Sequence, residues 1–304
     1  MFSRCVAIVV LLAAGLVQNA PALAQEKLKA VATFSILADF VKNVGGDKVE
    51  VISLVAPNAD AHVYSPSPAD AKKLADAHIV FTNGLGFEGW IARLVKSSAT
   101  KAAVVVATKG IKPLKAGGGH AHSYGHSHDA GDPHAWQSVA NAKIYVANIR
   151  DALSARDPAN KAAYDANAAA YLGRLDALER EVRETIARIP AERRRIITTH
   201  DAFGYFRAAY GLDFVAPQGV STDSEASAKD VARIITQIKK QKIPAVFLEN
   251  VSEPRLLKRI ADETGAKLGG TLYSDALTDE KGEAPTYIDM IRHNIRTLSA
   301  ALLS

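Results

Sequence analysis

Short runs of β-branched and aliphatic residues alternate along the chain with stretches whose apolar positions recur at helical spacing. Leu28 to Phe34, Val49 to Val55, His78 to Thr82 and Val104 to Ala107 read as strands. Ile36 to Val44 and Pro68 to Ala75, between them, read as helices. Ser67 is placed to cap the second helix, with Pro68 in its first turn, where a missing N–H costs nothing. Strand–helix alternation of this kind predicts a parallel sheet covered by helices. The rhythm returns in the second half. Arg195 to Thr199, Phe214 to Ala216, Ala245 to Leu248 and Leu268 to Leu272 read as strands. Ser227 to Lys240, Pro254 to Thr264 and Asp289 to Leu302 read as helices.

Between the halves, Asn160 to Ile189 is rich in Ala, Leu, Glu and Arg, with Leu172, Leu175, Leu178, Val182 and Ile186 at helical spacing. Asp157-Pro158 marks its start and Pro190 its stop. A helix of about 30 residues would be roughly 45 Å long, enough to run along both halves as a strut. The expected fold is therefore α/β: two lobes, each a parallel β-sheet flanked by helices, joined by one long rigid helix. Residues 25–157 form the first lobe, 158–189 the linking helix and 190–304 the second lobe. Residues 115–132 break the pattern. They are rich in Gly, Ser and His, lack apolar periodicity, and read as a disordered surface loop in the first lobe.

The ends and the composition narrow the class. Arg4, an apolar run from Val6 to Val17 and the small-x-small triplet Ala22-Leu23-Ala24 read as an export signal over residues 1–24, cleaved before Gln25. The run is shorter than the ~20 apolar residues of a spanning helix. The mature chain is then expected in the periplasm. The single cysteine, Cys5, lies within the signal, so any transition-metal site of the mature chain must use His, Asp or Glu. The 37 Lys and Arg are scattered among 32 Asp and Glu for a net charge of +5, which gives no basic stripe for nucleic acid.

The nine histidines are unevenly distributed. His120, His122, His126 and His128 lie in the loop, where His-x-His pairs hold zinc or copper weakly because the chain must be ordered around the ion. His62 stands in Asp60-Ala61-His62-Val63-Tyr64, between a strand and a helix. His134 stands in Asp132-Pro133-His134-Ala135-Trp136. His200 follows a strand in Thr198-Thr199-His200-Asp201-Ala202-Phe203-Gly204-Tyr205, and Asp275 follows another in Leu272-Tyr273-Ser274-Asp275. Ligands of open α/β sheets gather at the carboxyl ends of strands. Any one of these residues alone is more often a hydrogen-bonded structural group. His78, at a strand start, and His293, on the last helix, receive structural readings. Glu249 and Asp223 are the next carboxylates to suspect, as supports or alternative ligands.

Taken together, these segments resemble the metal-binding family of ABC-transporter substrate-binding proteins, the zinc and manganese cluster. The resemblance rests on the His before a Tyr/Pro-rich helix start, the Pro-His-x-Trp turn, the Thr-His-Asp-Ala-Phe-Gly-Tyr run, the Asp after the last strand and the Pro-Thr-Tyr-Ile-Asp-Met segment. It runs from about Leu28 to the C-terminus. It implies a metal in the cleft between the lobes, held by His62 and His134 from the first and His200 and Asp275 from the second. In relatives that resemble manganese or iron carriers the third position is commonly Glu; here it is His200. Three imidazoles and a carboxylate suit Zn2+, and a site richer in oxygen would suit Mn2+.

The resemblance implies a binding protein that delivers zinc to the membrane permease of an ABC importer, as a monomer, with a periplasmic metallochaperone as a further candidate partner. Manganese or iron delivery keeps the class and changes the ion. A periplasmic zinc store or adhesin would account for the His-rich loop. A zinc hydrolase would need an open coordination position and a general base, and no His-Glu-x-x-His motif supports one.

Overall fold

The computed structural model describes residues 26–115 and 131–303. The signal segment 1–24, Cys5 and the loop residues His120, His122, His126 and His128 lie outside them. The first half supplies strands β1 (Leu28–Ala32), β2 (Val49–Ser53), β3 (Ile79–Thr82) and β4 (Ala103–Val106). Helices α1 (Ser35–Gly45), α2 (Pro68–Ala75), α3 (Ile91–Ser98) and α4 (Val139–Arg156) belong with them. The second half supplies β5 (Arg195–Ile197), β6 (Asp213–Val215), β7 (Ala245–Glu249) and β8 (Lys267–Leu272). Its helices are α6 (Gly204–Tyr210), α7 (Ala228–Gln241), α8 (Arg255–Thr264) and α9 (Tyr287–Leu303), and α5 (Lys161–Ala187) joins the halves.

Each half forms a four-stranded, all-parallel sheet, ordered β2-β1-β3-β4 and β6-β5-β7-β8. The two orders are the same. In each, the chain leaves a central strand to one side and returns on the other, and the crevice beyond the carboxyl ends at that reversal is where open sheets bind ligands. The capping expected at α2 is present in full. Ser67 accepts from the Asp70 N–H, and the Asp70 carboxylate accepts from the Ser67 N–H at 2.9 Å.

Strands β1, β2 and β5 end two residues before the sequence pattern suggests, with Thr33, Phe34, Thr198 and Thr199 already outside the sheets at their carboxyl ends, whereas β7 and β8 are each one residue longer. Helices α3, α4 and α6 were not anticipated. The buried positions of α4 (Val139, Ala142, Tyr145, Val146, Ile149, Leu153) do follow helical spacing, but alanines and asparagines dilute the pattern. The linking helix starts later than Asn160 and stops before Ile189; its 27 residues correspond to about 40 Å.

That helix is more than a strut. Tyr164, Ala168, Tyr171, Leu175, Leu178, Val182 and Ile186 are buried along it, and it packs on α1 and α4 at one end and on α9 at the other. One apolar cluster runs without a break from β1 and α1 through α5 to Phe214, Tyr273 and Leu298 of the second half. A separate small cluster (Ile197, Ile234, Ile238, Ile243, Val246, Leu257, Ile260, Ala261) seals the outer face of the second sheet under α7 and α8. Asp39 on α1 ties the joint. Its buried carboxylate accepts from the Tyr287 N–H at 3.0 Å and the Tyr171 hydroxyl at 3.3 Å, joining α1, α5 and the start of α9. Burial pushes the Asp39 carboxyl up, against these donors and the nearby Lys42 and Arg174, to about 6.

Gly173 is exposed on α5, and a Cβ there would meet nothing within 4 Å. A helical glycine costs roughly 0.5–1 kcal/mol relative to alanine. Gly173→Ala is therefore expected to raise unfolding free energy by about that amount, read by urea titration, and to leave metal affinity unchanged.

Candidate metal centre

Four chain segments at the carboxyl ends of the two sheets converge on one point. The loop after β2 brings His62, the turn before α4 brings His134, the end of β5 brings His200 and the end of β8 brings Asp275. One ligand atom from each lies within 4.8 Å of the others. His62 Nε2 is 3.3 Å from His134 Nε2 and 3.3 Å from Asp275 Oδ2. His200 Nε2 is 3.1 Å from Asp275 Oδ2, and His134 Nε2 is 3.6 Å from Asp275 Oδ1. His134, His200 and Asp275 are fully buried, and His62 is nearly so at its side chain.

Each ligand is aimed by a neighbour. The Asp132 carboxylate accepts from the His134 N–H at 2.9 Å, and the same oxygen lies 2.8 Å from Nδ1 of the ring. A proton held on Nδ1 leaves the Nε2 lone pair facing the cluster. Glu249 does the corresponding work for His200. Its Oε1 accepts from the Thr199 and His200 N–H groups at 2.7 and 3.0 Å. Its Oε2 stands 2.6 Å from His200 Nδ1, close but out of line for a well-directed hydrogen bond. Asp60 Oδ1 accepts from the His62 N–H at 2.8 Å, and the His62 ring packs edge-on against Phe87. The Asp275 turn is fixed through the preceding carbonyl: Trp136 Nε1 and Gln137 Nε2 both donate to Ser274 O, at 2.9 and 2.7 Å. The Pro-His-x-Trp turn of the first half thus positions the carboxylate ligand of the second.

The electrostatics of the site set buried carboxylates against three imidazoles. Burial drives the Asp275 carboxyl up, yet the adjoining His200 and His134 outweigh it and hold the group well below the usual carboxylate range. Burial likewise pushes the His134 and His200 imidazoles down, and the surrounding carboxylates win. Asp275 and Asp132 raise His134 to about 9, and Glu249 and Asp275 raise His200 well above its ordinary value. For His62 burial prevails over Asp275, and its imidazole is lowered. Asp275 Oδ1 is buried with no hydrogen-bond donor. An oxygen in that state facing three imidazoles is what a cation would satisfy.

Asp132 is a correction to the sequence reading, which put it in the disordered loop. It is buried, and its N–H donates to Leu114 O at 2.8 Å, closing the base of that segment. The signal was legible. Asp60-Ala61-His62 and Asp132-Pro133-His134 share one Asp-x-His turn, the carboxylate accepting from the His N–H two residues on. Of the two further carboxylates suspected, Glu249 is in the site and Asp223 is exposed outside it. His78 and His293 make structural hydrogen bonds elsewhere, to the Lys29 N–H and to Thr271 O, each at 3.0 Å.

Gly204 explains why the aromatic-Gly-aromatic run needs its glycine. A Cβ there would sit 2.1 Å from Asp132 Oδ2. Gly204→Ala must displace Asp132 and with it His134. Loss of such supports typically weakens metal binding about 10- to 100-fold. We expect a loss in that range by competition titration, with the circular dichroism of the metal-free protein unchanged.

Residues 30–301 match the family described as zinc-uptake complex component A, periplasmic. The chain is 37% identical over 286 residues to the iron-binding protein YfeA of Yersinia pestis, covering 94% of this chain and 90% of that protein. It is 34% identical over 304 residues to the manganese-binding lipoprotein MntA of Halalkalibacterium halodurans, covering 99% and 98%. Among solved structures, the periplasmic zinc binding protein TroA from Treponema pallidum superposes with a TM-score of 0.83 at 32% identity, covering 91% of this chain and 99% of that one. The chain thus belongs to the zinc-uptake complex component A family, the periplasmic metal-binding proteins that serve ABC transporters as carriers and are not enzymes.

Proposed function

We propose that this protein binds one zinc ion through His62, His134, His200 and Asp275 and delivers it to the membrane permease of an ABC importer. The observation that carries the reading is the spacing of the four ligand atoms. Zinc–nitrogen bonds of 2.0–2.1 Å in a tetrahedron put neighbouring ligands about 3.3–3.4 Å apart. Separations of 3.1, 3.3, 3.3 and 3.6 Å, the last to the second oxygen of Asp275, lie around that value, and one ligand atom from each of the four residues falls within 4.8 Å of the others, a spread that ion binding would have to draw in. Four side chains close a tetrahedral sphere, which suits carriage and leaves no position for an activated water.

The export reading of residues 1–24, with cleavage before Gln25, supports delivery from the periplasm. His120, His122, His126 and His128 are proposed as weak additional zinc contacts that feed or buffer the cleft. The protein is proposed to act as a monomer, with a metallochaperone as a further candidate partner. Manganese or iron is the second reading. It is favoured by the names of the iron- and manganese-binding relatives and by Asp275, whose two oxygens both face the histidines and would give a fifth, harder ligand atom.

His200→Glu discriminates the readings. It exchanges a borderline nitrogen for hard oxygen and adds negative charge beside Asp275 and Glu249. We expect it to weaken zinc and narrow the preference for zinc over manganese, whereas His200→Ala weakens zinc with no comparable relative gain for manganese. Competition titration of the three proteins checks this; unchanged zinc affinity in His200→Glu would remove His200 from the ligand set.

The pH dependence should reach higher than isolated histidines would carry it. Unperturbed imidazoles near 6.5 would compete with metal mainly between pH 7 and 5. With His134 raised to about 9 and His200 also raised, zinc must displace protons at neutral pH. Apparent affinity is expected to keep rising from pH 7 to 9, and calorimetry in buffers of different ionisation enthalpy should register proton release at pH 7. The linked stability has the opposite sign. A folded-state pKa above the unfolded one stabilises the metal-free protein fully below about 6.5, and that contribution is lost as pH rises through about 9.

A further inference from the structure

We infer that Thr222 is a positioning residue for metal retention: its hydroxyl latches the loop after β6 across the cleft onto the His62 loop and thereby slows metal release. The inference rests on the cleft reading of the metal site. Residues 216–227 connect β6 to α7 without regular strand or helix. At one end this connection is fastened to the flanks of His200. The Gln218 N–H donates to Thr199 O at 3.3 Å, and the Asp201 N–H donates to Gly219 O at 3.0 Å. Four residues further on, Thr222 Oγ1 donates to Asp60 Oδ2 at 2.5 Å, joining chain positions 162 residues apart.

The other oxygen of the same carboxylate accepts from the His62 N–H at 2.8 Å. One loop therefore touches the backbone on both sides of a second-half ligand and, through one carboxylate, the backbone of a first-half ligand. Asp60 and Thr222 are half-buried, so the bond can open to solvent without unfolding either sheet. Opening it removes the cross-cleft restraint on the carboxylate that holds the His62 N–H, and His62 is the one ligand of the four that retains some exposure. The turn is also held by Trp90 Nε1, which donates to Ala61 O at 2.8 Å, by the Asn58 N–H to Leu277 O at 2.8 Å and by Asn250 Nδ2 to Asn58 Oδ1 at 3.2 Å, but none of these touches the Asp60 carboxylate or the His62 N–H that it holds.

The test uses the full mature protein loaded with one equivalent of zinc and measures dissociation into excess chelator by stopped flow. Thr222→Val keeps the side-chain shape and removes the donor. We expect dissociation about tenfold faster, the low end for a hydrogen bond to a charged group. Thr222→Ser restores the hydroxyl and should return the rate to within about twofold of wild type. A Thr222→Val rate equal to wild type overturns the latch, and so does a Thr222→Ser rate equal to that of Thr222→Val, since loss of packing rather than of the donor would then be responsible. Failure of the wild-type protein to retain zinc at all would instead overturn the cleft site on which the latch depends.

Discussion

The structure is organised around a carboxylate that is buried without enough partners. Asp275 has no exposure, faces three imidazoles, and leaves Oδ1 without a donor. A buried anion is costly unless it is paired and hydrogen-bonded. Asp275 and the neighbouring carboxylates raise the His134 and His200 imidazoles, and a divalent cation would compete with their protons as a stronger and more central charge. Asp132 and Glu249 stand behind the His134 and His200 imidazoles, Asp60 holds the His62 backbone N–H, and Trp136 and Gln137 fix Asp275 through the Ser274 carbonyl. Each half thus orients its own histidines, and the Trp136 and Gln137 hydrogen bonds to Ser274 O cross between the halves to place Asp275.

The packing around the site limits how the protein can give metal up. The main apolar cluster is continuous from the first sheet through α5 into the second half, and Asp39 adds a polar tie among α1, α5 and α9. Separating the halves would break that core. The irregular segments at the carboxyl ends of the strands carry the ligands outside that core and are held by individual hydrogen bonds, so the proposed release assigns its motion to them.

Much of this was legible in the sequence, and the reasons are physical. Parallel strands buried on both faces give continuous apolar runs, and Ser67-Pro68 announces a helix start by its own hydrogen-bonding chemistry. Three of the four site residues follow strands and His134 stands in the Asp132-Pro133 turn, but the resemblance to the metal-binding family is what singles them out together. The helix α4 was not legible, because its buried face is diluted with small and polar residues. Thr222 carries no local signature, since its partner Asp60 is distant in the chain and nothing near it repeats. Asp132 could have been found from the repeated Asp-x-His turn but was obscured by the Gly/His-rich residues just before it.

The central claim is that the cleft residues, and not the histidines of residues 120–128, hold the transported ion. Anomalous-difference density at the zinc edge, from crystals of the full mature protein grown with one equivalent of zinc, tests it most directly. The account predicts one strong peak about 2.0–2.2 Å from Nε2 of His62, His134 and His200 and from Asp275. A principal peak bound by the histidines of residues 120–128, or a cleft peak lacking any of these four residues, would contradict it.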